Sequence, residues 1–114
     1  MMIQRWPGGA AGRCRMVKHG GTVYAVATAR DKAGNVAAQT KDALAQIDAN
    51  LAEAGTDKTK LLSATVYITD MANKPEMDAV WCAWVAPDGW PQRACIAVTL
   101  ADRDLVEIVV TAAA

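Results

Sequence analysis

Two short segments near the end of the chain hold the residue types that could do chemistry. Trp90-Pro91-Gln92-Arg93-Ala94-Cys95-Ile96 places one arginine at the mouth of an otherwise apolar run. Leu105-Val106-Glu107-Ile108-Val109-Val110 places one glutamate among aliphatic residues. A lone carboxylate in that setting needs a partner, a water site or a rim position, because an unpaired buried charge is costly. An arginine and a glutamate facing one small cleft would grip a carboxylate and handle water. Strand alternation puts Arg93, Cys95, Ala97 and Thr99 on one face, and Leu105, Glu107 and Val109 on one face of the last strand. The two polar faces could be the same side of one sheet. A simple hairpin around Asp102 would set Glu107 opposite residue 98, more than about 10 Å from Arg93 at ~3.3 Å per residue. Either the strands are not neighbours, or the site is completed across a subunit boundary.

Other candidates carry less. Cys95 has no general base beside it in any motif and reads as a small pocket-wall residue. Three cysteines at uneven spacing (Cys14, Cys82, Cys95) and one histidine, His19, give no recognisable metal set and no disulfide framework. They are expected to be reduced thiols of a cytoplasmic protein. Trp81 and Trp84 share helical spacing with Met77 and Val80, which points to core or subunit interface before a ligand-stacking box. Twelve Lys+Arg balance twelve Asp+Glu, so neither Arg13 nor Arg15 belongs to a general basic face, and a nucleic-acid partner is not expected. No apolar run reaches the ~18 residues of a membrane span. A hydrophobic fraction of 53% excludes a disordered chain. Four tryptophans without a phenylalanine leave much indole and aliphatic surface to bury in so short a chain, and oligomerisation is one way to bury it.

The elements that must position these residues follow from pattern. Residues 1–12, broken by Pro7 and two glycine-containing breaks, read as a flexible arm before a domain at 13–114. Arg13–Lys18 and Thr22–Thr28 flank Gly20-Gly21 and predict a hairpin. Val36, Thr40, Ala43/Leu44, Ile47, Leu51 and Ala54 recur at helical spacing, with Gly55 as the C-terminal stop. Leu61–Ile68 reads as a strand. Asn73 and Pro75 open a second helix with Met77, Val80/Trp81 and Trp84/Val85 inward, and Pro87-Asp88-Gly89 ends it. Gln92–Leu100 and Leu105–Thr111 read as strands. The order is β-β-α-β-α-β-β, an α+β class.

In Ala38-Gln39-Thr40, Leu51-Ala52-Glu53-Ala54-Gly55, Ala64-Thr65-Val66-Tyr67-Ile68-Thr69-Asp70-Met71, Pro91-Gln92-Arg93-Ala94-Cys95 and Val106-Glu107-Ile108, the chain resembles the RidA/YjgF family of enamine/imine deaminases from about Gly12 to Ala112. The resemblance implies a chorismate-mutase-like fold with one sheet packed by two helices, last strands that do not pair as a hairpin, and a homotrimer with three inter-subunit clefts. It implies that Arg93 binds a substrate carboxylate, that Cys95 lines the pocket through its backbone, and that Glu107 orients the attacking water. It sets Arg13 where the family carries Tyr, Val26-Ala27-Thr28 where it carries Ser-Gly-Gln, and Asp78 where an Asn often stands, so Arg13 and Val26 become pocket-wall residues. The expected activity is hydrolysis of 2-imino or 2-aminoacrylate-type acids to 2-oxo acids and ammonia, with no cofactor and no metal. The alternative is a non-catalytic trimeric module that binds small carboxylates.

Overall fold

In the computed structural model, which describes residues 2–114, six strands form one sheet. The strands are β1 (Gln4–Pro7), β2 (Cys14–His19), β3 (Thr22–Thr28), β4 (Leu61–Ile68), β5 (Gln92–Ala97) and β6 (Val106–Ala113), and the helices are α1 (Val36–Glu53) and α2 (Lys74–Trp84). The strand order is β1-β2-β3-β6-β4-β5. All neighbours are antiparallel except β4 and β5, which run parallel. A parallel pair needs a long crossover, and α2 supplies it.

Residues 4–7 are not a free arm. They pair with β2, Gln4 opposite Lys18 and Trp6 opposite Met16, and the Trp6 ring packs partly buried against the core. The glycines after Pro7 make the turn of a β1–β2 hairpin. A turn and a flexible linker share one composition, so composition alone does not separate them.

Gly20 and Gly21 connect β2 to β3 with positive φ at both positions, as a two-residue hairpin loop demands. Asn35 caps α1 by accepting from the Ala38 N–H. At the other end Gly55 takes φ 84°. There Gly55 N–H donates to the Ala52 carbonyl and Thr56 N–H to the Leu51 carbonyl, a Schellman closure. Asn73 was expected to cap α2, but its side chain makes no capping bond. A 3₁₀ turn at Met71–Asn73 runs straight into the helix, and Asp70 caps that turn through the Ala72 N–H. The strand expected through Leu100 ends at Ala97. Its one neighbour, β4, ends at Ile68, so no ladder remains beyond that point.

The buried side chains alternate along the strands: Val23, Ala25 and Ala27 on β3, Val106, Ile108, Val110 and Ala112 on β6, and Ala64, Val66 and Ile68 on β4. They meet Val36, Ala43, Leu44, Ile47 and Leu51 of α1, and Met77 and Trp81 of α2, in one core. The molecule is 19 Å deep along its shortest axis. That depth holds one sheet and one helix layer, each of roughly 10 Å, and leaves the second sheet face without a helix.

One buried polar side chain fastens the loops around this core. Gln39, 1% exposed, sends its amide nitrogen toward the carbonyls of Lys32, Gly34 and Arg103 at 3.1–3.3 Å, and its oxygen accepts from the Leu105 N–H at 2.9 Å. It ties the turn before α1 to the turn before β6. Replacement by an apolar residue strands several buried backbone groups, each costing about 1–3 kcal/mol. Gln39→Leu is therefore expected to lower the unfolding free energy by about 3 kcal/mol. Denaturant titration that finds less than 1 kcal/mol would show that these loops are not fastened by this side chain.

Candidate functional site

The strand order sets the distance between the two chemistry-bearing residues. Arg93 on β5 is in register with Ala64 of β4, and Glu107 on β6 is in register with Tyr67 of β4 and Thr28 of β3. Three residues along β4 and two strand spacings across give a Cα separation of about 14 Å. The faces differ as well. Arg93, Cys95 and Ala97 align with Ala64, Val66 and Ile68, which point to the helices. Glu107 aligns with Thr28 and Tyr67, which point away from them. The two residues do not share one side of the sheet within a chain. Alternation gives each strand's own parity but not the phase between strands, and that phase is set by the pairing register.

Each residue opens into its own cavity. The Glu107 cavity, about 730 Å³, lies at the end of the sheet between the β1–β2 turn and the loop before β6. Arg13, Cys14, Val26, Thr28, Gln46, Asp104 and the Gly8-Gly9 turn line it. The sequence reading put Arg13, Val26, Arg93, Cys95 and Glu107 in one pocket; the structure brings Arg13, Val26 and Glu107 together and sets Arg93 in a separate cavity. Among the described residues, the ion pairs are Arg15–Glu53, Lys32–Asp104, Lys74–Asp78 and Arg93–Asp78. Glu107 and Arg13 are in none of them. Asp104, held by Lys32, adds a second carboxylate to the wall. It was not singled out in the sequence, because its place depends on the Gln39 bonds that shape its loop.

The walls of this cavity are fixed from behind. Gln46 donates to the Thr28 carbonyl at 2.6 Å and to Asp42 at 3.1 Å. Asp42 also accepts the N–H groups of Arg30 and Asp31. The Asp31 N–H, helped by Gln46 and Arg30, holds its carboxyl below the ordinary value against the opposing effect of burial. A bulge at Arg15 sends that side chain to Asn50 and Glu53 of α1, which anchors β2 beside the cavity.

The Arg93 cavity, about 290 Å³, is bounded by Asp78, Trp81, Cys82, Val85 and Trp90. Arg93 Nη2 donates to Asp78 Oδ1 at 2.7 Å, its Nη1 lies 3.8 Å from Met77 Sδ, and its Cζ stands 5.3 Å from the centre of the Trp81 ring. Asp78 takes a second bond on its other oxygen, from Lys74 Nζ at 2.7 Å. Trp90 projects freely at 78% exposure. Cys95 stands two residues beyond Arg93 on the same strand face, half-buried, as a free thiol. Trp81 is buried in the core, and Trp84, half-buried, packs against the core and donates its indole N–H to Asp48 at 2.8 Å. Cys14, Cys82 and Cys95 are all unpaired. Among the described residues, no His, Cys, Asp and Glu cluster is arranged to hold a metal ion, and no helix is long and apolar enough to cross a membrane.

A six-stranded sheet with two helices on one face, a parallel edge pair and the last strand near its middle defines a chorismate-mutase-like α+β domain. The comparisons agree. A family model described as endoribonuclease L-PSP matches residues 9–114. A RutC family protein of Haemophilus ducreyi is 45% identical over 84 residues, 73% of this chain and 72% of its own length. The RutC family protein YoaB of Escherichia coli is 32% identical over 99 residues, 86% of this chain and 87% of its own. A crystal structure of a YjgF family member from Neisseria meningitidis superposes with a TM-score of 0.93 at 38% identity, covering 99% of this chain and 95% of that one. The chain belongs to the RidA/YjgF family.

Glu107 has no hydrogen bond or ion pair with another described residue of its chain, so the fold does not rely on its charge. Glu107→Gln is expected to change the unfolding free energy by less than about 0.5 kcal/mol. A loss above 2 kcal/mol would identify Glu107 as a structural partner of an arginine on a second copy.

Proposed function

We propose that this protein is a homotrimeric 2-imino-acid deaminase whose site forms where the Arg93 cavity of one subunit meets the Glu107 cavity of the next. The observation that carries the reading is the division described above. Two half-sites with complementary chemistry lie on opposite sheet faces, about 14 Å apart by strand geometry, and neither alone both holds a carboxylate and places a water. The face without helices supports assembly, since Tyr24, Ile96 and Val109 are exposed there at 50%, 44% and 36%. Apolar side chains on a flat sheet face favour association over hydration.

In this reading the Arg93 guanidinium takes the substrate carboxylate through the nitrogens that Asp78 leaves free. Glu107 of the adjoining subunit accepts a hydrogen bond from water and directs the oxygen lone pair at the imine carbon. The C–O bond forms as the C=N π pair moves to nitrogen, giving a carbinolamine. Glu107 takes a proton from the adding water and returns it to the nitrogen; on collapse it takes the carbinolamine hydroxyl proton as the C=O forms and passes it to the departing nitrogen, which leaves as ammonia. The substrate is already electrophilic, so positioning and carboxylate binding supply most of the rate. Cys95 has no chemical step and contributes pocket wall. Arg13 and Val26 replace the family Tyr and Ser at the wall beside Glu107.

A second reading is a trimeric small-carboxylate binding module without turnover. One observation favours it: Val26 puts an aliphatic side chain where a hydroxyl would help hold the water. Ammonia release decides between the two. With 2-imino acids generated in situ by an amino-acid oxidase, the wild type is expected to accelerate ammonia formation. Arg93→Ala is expected to lower kcat/KM by about two to three orders of magnitude with the trimer intact. Wild-type protein that releases no ammonia yet binds carboxylates through Arg93 is the binding module. A monomer mass by light scattering at micromolar concentration overturns the composite site.

A further inference from the structure

We infer that Lys74 is a positioning residue for anion capture at Arg93 and that it makes this half-site selective for monocarboxylates. The inference rests on the reading of Arg93 as carboxylate ligand. Three charged side chains form the cluster. Lys74 Nζ binds Asp78 Oδ2 at 2.7 Å, and Arg93 Nη2 binds Asp78 Oδ1 at 2.7 Å. Each oxygen of the aspartate is therefore taken by a different cation. Partial burial works against ionisation of Asp78, but the bonds from Lys74 and Arg93 outweigh it and hold the carboxyl below its ordinary 3.8. The cluster is two cations and one anion at neutral pH, with one net positive charge.

That arrangement has a consequence for Arg93. A guanidinium prefers to meet a carboxylate fork to fork, with two parallel hydrogen bonds. Asp78 is 15 residues from Arg93 in sequence and close enough to offer that bidentate contact. Lys74 competes with it by binding Oδ2 from one helical turn away at i,i+4. Only one guanidinium nitrogen is then spent on Asp78; Nη1 meets only the weak thioether acceptor of Met77, so an incoming carboxylate can displace that contact and bind. Without Lys74, Asp78 would present both oxygens to Arg93, close the fork and cancel the charge.

The net charge sets the ligand class. One positive charge matches one carboxylate. In the facing cavity, Lys32 pairs with Asp104 and Arg15 with Glu53, and Arg13 and Glu107 line the wall as one charge of each sign, so the wall has no net positive charge for a second anionic group. Around Arg93 the walls are Trp81, Val85 and the exposed Trp90. They suit an apolar or aromatic substituent on the acid and offer a second carboxylate nothing.

Calorimetric titration of the intact wild-type protein with phenylpyruvate and with 2-oxoglutarate tests this, since these 2-oxo acids share the carboxylate head and differ in tail charge. The wild type is expected to bind phenylpyruvate at least about tenfold more tightly. Lys74→Ala is expected to weaken phenylpyruvate binding by about five- to tenfold, the scale of one partly exposed ion pair. The double variant Lys74→Ala/Asp78→Asn is expected to recover binding to within about threefold of wild type, because the competing anion is gone. A merely structural role for Lys74 predicts the opposite, a double variant no better than Lys74→Ala. Unchanged affinity in Lys74→Ala, no rescue by Asp78→Asn, or equal affinity for the two acids each overturn the inference. Arg93→Ala is the separate control: if it leaves phenylpyruvate binding unchanged, or the wild type binds neither acid, the reading of Arg93 itself falls.

Discussion

The last strand lies near the middle of the sheet, and the arrangement of the candidate site depends on that placement. Because β6 inserts between β3 and β4, it completes the ladder that holds the β2–β3 hairpin to the rest of the chain. It also separates the carboxylate of Glu107 from the strand that carries Arg93 by the full width of β4. Alternating pleat then sends the two side chains to opposite faces. No loop movement of ordinary size brings them together, since both sit on paired strands. A chain built this way presents complementary half-sites, and a functional cleft that uses both calls for a second copy.

The cost of a central last strand is topological. Its partners, β3 and β4, are separated from it by roughly 80 and 40 residues of chain, and such pairings close long loops before they are rewarded. The polar pins answer this locally. Gln39 joins the turn before α1 to the turn before β6, and Thr56 Oγ1 donates to the Ala113 carbonyl at 2.6 Å, tying the end of β6 to the segment after α1. Both pins are side-chain to backbone bonds, so each fixes a loop that packing of apolar side chains would leave free to shift. The turn that presents Asp104 to the Glu107 cavity is one of these fixed loops.

The helices, the Gly20-Gly21 hairpin and the strand at Leu61–Ile68 were legible because each carries its own local signal of period, cap or turn. The N-terminal strand was not, since Gln4-Arg5-Trp6-Pro7 is too short for a period and its role comes only from pairing with β2. The grouping of Arg13, Val26 and Glu107 came from family resemblance and survives in the geometry. Their relation to Arg93 was not legible, because register across three strands is a tertiary fact. The Lys74–Asp78 spacing is visible in the sequence as an i,i+4 pair. That Arg93 completes the cluster is not, because nothing local links a strand residue to a helix fifteen positions earlier.

The two cavities also draw on different elements. The Arg93 cavity is built from α2, β5 and the segment between them. The Glu107 cavity is built from the β1–β2 turn, β2, β3, α1, β6 and the loop before it. A substitution on α2, such as the Asp that stands where the family often has Asn, changes charge balance around Arg93 without touching the wall around Glu107. A substitution at Val26 or Arg13 does the reverse. In a packed core such changes would couple through shared neighbours. Here the two halves lie about 14 Å apart on opposite sheet faces and are linked through the β4–β6 ladder and through α1, which bonds Trp84 of α2 by Asp48 and the Thr28 carbonyl of β3 by Gln46. A fold of this kind lets its two cavities diverge separately: on one side Asp78 is bound by both Lys74 and Arg93, and on the other an aliphatic Val26 lines the cavity of Glu107, which forms no ion pair among the described residues.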